Sequence, residues 1–220
     1  MRPEEFLRPE EFFAAKVCVP SPRSSREWNL VPLEQREKTF FISGVTSIEI
    51  LQVFRETIAE VIVGELSNAE GRRAIREGLA QLGYKPNDDA GTSNDLLSFE
   101  RMNSVINMNC SAAHNFSSRQ KQFLALRAYP AKRMTWAAST PMPQIWFGRW
   151  HRACVDLDDA DPDTMTALLE SSVWARLNRF GAPYGPYDFE CKMVDLPVNA
   201  TEAQRVIDKD IVEQYRINHS

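Results

Sequence analysis

Thr46-Ser-Ile-Glu-Ile-Leu-Gln-Val-Phe-Arg-Glu-Thr-Ile-Ala-Glu-Val-Ile-Val63, continued by Gly64-Glu-Leu-Ser67-Asn-Ala-Glu70, is the stretch on which the fold turns. Ile48, Leu51, Phe54, Ile58, Val61 and Ile62 recur at the spacing that lines one stripe of an α-helix. Thr46-x-x-Glu49 reads as a capping box, in which the hydroxyl accepts from an early amide and the carboxylate reaches back, so a helix is predicted from near Ser47. Ser67-x-x-Glu70 repeats the signal. Ile75, Leu79 and Leu82 mark the second helix's apolar face, and Gly83 is placed to stop it at C′. Two capped helices with a short break between them predict an α-hairpin.

Beyond the hairpin, residues 84–98 read as a loop. A long helix follows over roughly 96–127, with Phe99, Met102, Ile106, Ala113, Phe116 and Phe123 on one stripe. From Tyr129 to Asp163, Pro130, Pro141 and Pro143 bar one continuous helix. Short strands are predicted around Met134–Ala137 and Ile145–Phe147. Asp163 is placed to cap a helix over 164–170, another helix is predicted over about 172–179, and Phe180–Tyr187 is a turn rich in Pro, Gly and aromatics. A final helix is predicted near Thr201, with Thr201-x-x-Gln204 as its capping box and Ile207 and Ile211 facing inward.

On the N-terminal side, Arg2-Pro-Glu-Glu-Phe6 recurs as Arg8-Pro-Glu-Glu-Phe12, and each copy suits a helix's first turn. Pro20, Pro22 and Pro32 with Ser21, Ser24 and Ser25 read as a linker. These signals predict an α+β fold, predominantly α-helical. The expected parts are an N-terminal arm and linker (1–38), a helical domain (39–128) and a smaller, irregular C-terminal part with short strands (129–220), knit by Trp146, Trp150, Trp174 and Phe180.

The composition, 43% hydrophobic and 25% charged, is that of a globular chain able to build a core. No run approaches the roughly 20 apolar residues of a membrane span. The acidic N-terminus lacks an apolar signal core, so no secretory leader is expected. Cys18, Cys110, Cys154 and Cys191 are widely spaced and form no C-x-x-C pair, which predicts free thiols in a reducing compartment. Charge is unevenly placed. From Arg101 to Val155 there is no Asp or Glu but eight cations: Arg101, Arg119, Lys121, Arg127, Lys132, Arg133, Arg149 and Arg152. A +8 segment therefore sits in a chain of net charge −4, a pattern that suggests an anionic partner. Arg119, Lys121, Arg127, Lys132, Arg133, Arg149 and Arg152, interleaved with aromatics, are the candidate contacts to DNA or to an acidic protein face. The competing reading makes the aromatics core and the cations a solvated face.

Catalytic and metal-binding patterns are weak. His151-x-x-Cys154 with Cys191 offers at most three ligands, without a second pair. Asp156–Asp163 resembles a calcium loop only in its acid count: the sixth position is not Gly and the twelfth is Ala167. A solvated acidic turn, placed to pair with the preceding basic segment, fits better. No G-x-S-x-G elbow or phosphate-binding Gly loop occurs, and Cys110 with His114 is an i, i+4 spacing on a helix. Neither catalytic residue, metal nor cofactor is expected.

Two blocks resemble a known family. Thr39-Phe-Phe-Ile-Ser-Gly-Val-Thr46 runs through the hairpin to Leu82-Gly83-Tyr84, followed by Arg101-Met-Asn-Ser-Val-Ile-Asn-Met-Asn109. Pro143-Gln-Ile-Trp146-Phe-Gly-Arg149-Trp150 is followed by Ser172-Val-Trp174-Ala-Arg-Leu-Asn-Arg-Phe180-Gly181-Ala-Pro183-Tyr184-Gly-Pro186-Tyr187-Asp188-Phe189. Together they resemble the phage head morphogenesis, or Mu F-like minor capsid, family over about residues 39–193. The second block is the more specific, with Trp146, Trp150, Trp174, Phe180, Gly181, Pro183, Pro186, Asp188 and Phe189 as its marks. Gly185 stands where the family pattern would have another Pro, Glu190-Cys191-Lys192 replaces small polar residues, and a paired-Cys ending is absent. The resemblance implies a minor structural protein of a tailed-phage head, assembled in the host cytoplasm with portal and capsid proteins as part of a multi-copy particle. Packaged DNA is a further implied partner, and the virion head the implied location. Two rivals stand beside it. A stand-alone nucleic-acid-binding protein would show strongly salt-dependent DNA binding. A phage-associated enzyme would show a pocket of convergent polar groups.

Overall fold

The computed structural model describes residues 6–86, 95–189 and 191–219. It is 51% helical with a few short strands, an α+β fold dominated by helix. The chain divides into two compact units, Arg8–His114 and a second holding Asn115–Ser220. The boundary expected near residue 128 thus falls earlier, inside a long helix. Residues 2–5 of the first Arg-Pro-Glu-Glu-Phe copy and most of the loop after Gly83 lie outside the described residues.

The first unit opens with α1 (Pro9–Ala14), whose Pro and two acids occupy the first turn as the sequence predicts. β1 (Val17–Cys18), α2 (Ser25–Trp28), α3 (Leu33–Glu37) and β2 (Thr39–Phe40) follow. Residues 8–38 are therefore no peripheral arm. Phe12 and Phe13 are buried, and Phe13 meets Phe40 edge-to-face at 5.7 Å. β1 pairs in parallel with β2, Val17 opposite Thr39. Arg55 donates to the carbonyls of Ala14 (2.7 Å) and Lys16 (3.1 Å). The Ser-rich stretch read as linker holds α2, capped by Ser24 with Glu27.

The hairpin forms as predicted: α4 (Ile48–Val63) and α5 (Asn68–Gln81). α4 is capped by Ser47, whose hydroxyl accepts from Ile50 N–H, one residue later than the Thr46 box implied; Glu49 instead accepts from the Ser47 hydroxyl. The Ser67/Glu70 box is present in both directions. Gly83, at φ +70°, closes α5: its amide reaches Ala80 O and the Tyr84 amide Leu79 O, the paired bonds of a left-handed helix stop. α6 (Phe99–Leu124) buries Met102, Ile106, Ala113 and Phe116 of the predicted stripe, while Phe99 is exposed under Arg72.

In the second unit, β3 (Ala131–Trp136), α7 (Gln144–Cys154), β4 (Ala160–Asp161), β5 (Thr166–Leu168), α8 (Val173–Leu177), β6 (Met193–Val198), α9 (Ala200–Val206) and α10 (Lys209–Asn218) follow in order. The strands form an antiparallel sheet ordered β4-β5-β3-β6. Alternation divides its side chains. Met134, Ala167 and Met193 join the α7 and α8 residues Trp146, Trp150, Ala153, Cys154, Val173, Trp174 and Leu177 in one core. Ala131, Leu168 and Val198 pack with Ala203, Ile207 and Val212 in another. β6 lies at the sheet edge, which is why Pro197 is tolerated within it.

Four local expectations are corrected here. Ile145–Phe147 is helical, because Pro143 precedes the first turn of α7 and starts a helix that it would break only from inside. Residues 164–170 hold β5, which bonds to β3 on one side and β4 on the other. Asn199, not Thr201, caps α9. The last helix is two, because Asp208 caps a new one. Among the described residues no helix is long and apolar enough to cross a membrane.

Gly78 shows how closely α5 lies on α4: a Cβ there would stand 2.7 Å from Val53 Cγ1. Val is stiff at χ1 in a helix and cannot swing aside freely. Gly78→Ala should therefore lose about 1–3 kcal/mol to overpacking against a gain of about 1 kcal/mol in helix propensity. A lowered urea midpoint, restored by adding Val53→Ala, checks this.

Candidate anion-binding cleft and its buried lysine

The seven candidate cations do not form one face. Lys132 is 1% exposed, so it can touch no partner. From β3 it enters the core between Trp174, 4.1 Å from the ring centroid, and three acceptors: Asp195 Oδ2 (2.7 Å), Tyr187 Oη (3.0 Å) and Pro183 O (3.2 Å). The Tyr187 hydroxyl donates in turn to Asp195. Burial pushes the Lys132 pKa down, opposed by Asp195, and burial likewise raises Tyr187 well above its ordinary value. Arg133, on the opposite sheet face, pairs with Glu202 at 2.7 Å and donates to Thr166. Arg119 lies over the Phe123 ring. Lys121, Arg127 and Arg152 are exposed. Three of the window's eight cations, Lys132, Arg133 and Arg149, are thus paired by acids from later in the chain, and the Asp156–Asp163 run supplies none of its ion pairs among the described residues. Within that run, Asp161 accepts from the Thr164 amide and hydroxyl, and Asp159 from Ser171.

Arg149 and Arg152 instead meet two arginines the sequence reading passed over, Arg176 and Arg179. With Asp188 and Leu177 they line a cleft of about 610 Å³. Arg149 is held on all sides: Nη1 to Asp188 Oδ2 (2.7 Å), Nη2 to Leu177 O (2.8 Å), and its plane 4.3 Å from the Trp146 ring centroid. Arg176 is tethered to Val155 O at 2.8 Å. Arg179 reaches Asp188 Oδ1 at 3.2 Å and lies over Phe189. Arg152 has no ion pair or hydrogen bond among the described residues. Burial pushes the Asp188 carboxyl up, but hydrogen bonds from Arg149, the Phe189 amide and Arg179 outweigh it and leave it below the usual carboxylate value.

The turn that carries Asp188 is organised by Asn178, also missed. Its side-chain amide donates to Tyr184 O (2.7 Å) and Pro186 O (3.2 Å), and its carbonyl accepts from Phe180 N–H (2.7 Å). Gly181 adopts φ +68°, and the Gly185–Pro186 peptide is cis. Of the motif residues, Trp146, Trp150 and Trp174 are core, with the two indole N–H groups of Trp150 and Trp174 given to Asp161 O and Leu168 O. Phe180 is only half-buried and packs edge-on against the exposed Phe189. The signal for Asn178 was its place before a turn, where Asn bonds nearby backbone. That for Asp195 was an acid at an inward position of an apolar strand.

The cysteines offer no activated thiolate. All four are free, and burial pushes each thiol up, Cys110 and Cys154 to about 11. No family model, curated protein or solved structure matches the chain.

Two outcomes are expected. Asp195→Asn strands a buried ammonium and should cost about 3–5 kcal/mol, whereas the triple Lys132→Met, Tyr187→Phe, Asp195→Leu should recover most of that in urea unfolding. Because Asp188 has a lower pKa folded than unfolded, its stabilisation is complete above the unfolded value and disappears as pH falls through the folded one. The stability difference between wild type and Asp188→Asn should therefore shrink below about pH 4, as read from denaturation midpoints across pH.

Proposed function

We propose that this chain is a minor structural protein of a tailed-phage head that assembles with portal and capsid proteins. The observation that supports this reading is the fate of the motif that carries the family resemblance. Its two halves, Pro143–Trp150 and Ser172–Phe189, lie over twenty residues apart in sequence, yet they share one core through Trp150 and Trp174, whose rings are 5.3 Å apart. The indole N–H groups of Trp150 and Trp174 end on backbone carbonyls, and Asn178 organises the motif's own turn. A motif whose large side chains are used in its own packing is what a framework needs.

DNA contact has less support than the acid-free window suggested. Lys132 is buried, Arg133 and Arg149 are paired, and Arg119 lies half-buried over Phe123, which leaves Lys121, Arg127 and Arg152 of the seven candidates exposed.

Mass spectrometry of purified, DNA-filled particles and of precursor heads tests the reading. The chain should be present in both or in the precursor, at far fewer copies than the major capsid protein, and should co-purify with the portal. Its absence from both kinds of particle would overturn the proposal.

A further inference from the structure

We infer that the arginine-lined cleft of the second unit is a binding site for a phosphate dianion, either a phosphomonoester or free phosphate. The cleft brings together four guanidinium groups and one carboxylate, a net charge of +3. Residues 115–220 as a whole carry thirteen basic and thirteen acidic side chains, so the +3 of the cleft is a local excess in a unit of balanced charge. Like charges gathered in a partly enclosed site repel one another, and an anion relieves that cost. A single carboxylate would leave two charges unmatched, whereas a dianion leaves one.

The donors suit phosphate oxygens in type and arrangement. Every cation in the cleft is Arg, whose flat fork of N–H groups meets phosphate in pairs. Arg149 and Arg176 are already fixed by backbone carbonyls, so little side-chain freedom remains to be lost on binding. Arg152 and Arg179 stand at the exposed side, the first with no ion pair or hydrogen bond among the described residues and the second holding Asp188 at 3.2 Å. The volume of about 610 Å³ falls within the roughly 300–1,000 Å³ of small-ligand sites.

The surroundings argue against a long polyanion. Asp156, Asp158 and Asp163, all exposed, follow directly on α7. Duplex DNA lying across the cleft would carry its phosphates over these carboxylates, while a compact anion inside would not meet them. This chemistry does not depend on the head-protein reading.

Isothermal titration calorimetry of the full chain at low ionic strength tests the site. The titrants are inorganic phosphate, AMP, a short single-stranded oligonucleotide with and without a 5′-phosphate, and a hexa-aspartate peptide. Phosphate or AMP, or the 5′-phosphorylated oligonucleotide alone, should bind saturably at one site, the first pattern indicating a free ligand and the second a polynucleotide end. The pair Arg152→Ala and Arg176→Ala should weaken binding at least about tenfold in a chain that still melts cooperatively. Arg127→Ala, outside the cleft, should leave binding unchanged, and Asp188→Asn should tighten it by removing the competing carboxylate. The proposal is overturned if neither phosphate, AMP nor the 5′-phosphorylated oligonucleotide binds saturably, or by equal loss in Arg127→Ala. Equal binding of both oligonucleotides would point to the phosphodiester backbone and overturn it too. Arg152- and Arg176-dependent binding of hexa-aspartate without phosphate binding would assign the cleft to an acidic protein instead.

Discussion

An ammonium group taken out of water costs several kcal/mol even after the protein relaxes around it. The second unit is arranged around that constraint. Lys132 is the only lysine among the largest fully buried side chains, and its three donors are each accepted: by the strand beside it, by a tyrosine and by a carbonyl in the Pro-rich turn. Satisfying all three at once fixes β6 against β3 and holds Pro183 and Tyr187 at one distance from the sheet. Trp174 covers the remaining side, which sets where α8 must lie. An apolar residue at position 132 would pack in many nearby arrangements; an ammonium with three acceptors packs in few. Such a network works as a specifier of geometry more than as a source of net stability.

The arginine cleft follows from this geometry. Once Tyr187 is anchored to Asp195, the next residue, Asp188, is carried to the outside of the turn, within 2.7 Å of Arg149. Asn178 fixes the other end of the same turn, and so the position from which Arg179 departs. Arg176 follows two residues after the buried Trp174 on α8 and is exposed. Four cations therefore converge because the core beneath them is rigid. Their convergence needs no attraction among themselves.

The helical hairpin was legible because its determinants are local. Ser67 and Glu70 cap each other across three residues, and Gly83 stops α5 through bonds within a single turn. The misjudged elements share a different cause. Residues 166–168 are strand because β3 and β4 flank them, and β6 exists because β3 offers it an edge; neither condition is present within a window of ten residues. Residues 8–38 looked like an arm because they contain few periodic apolar positions. Two phenylalanines and the carbonyl contacts of Arg55, about forty residues later, are enough to bind them in. The core role of Trp146, Trp150 and Trp174 was readable from size and apolarity alone. The roles of Tyr187, Asp195 and Asn178 were not, since a buried polar residue reveals itself only through its partner.

Charge along the chain proved a poor guide to charge in space for the same reason. The window from Arg101 to Val155 has no acid of its own, yet Asp195 answers Lys132, Glu202 answers Arg133 and Asp188 answers Arg149, every one from the last 33 residues. A sequence run of one sign predicts a surface of that sign only when the run stays on the surface and its neighbours in the fold are neutral. Here β3 carries the run through the middle of a sheet whose edge strand and following helix bring acids to it. That pairing takes three of the window's eight cations. The four cleft arginines share a single carboxylate, Asp188, which meets Arg149 at 2.7 Å and Arg179 at 3.2 Å, and Arg176 and Arg179 come from outside the window. The informative quantity is therefore the charge remaining after internal pairs are struck out, and where Arg149, Arg152, Arg176 and Arg179 meet, four guanidinium groups face one carboxylate.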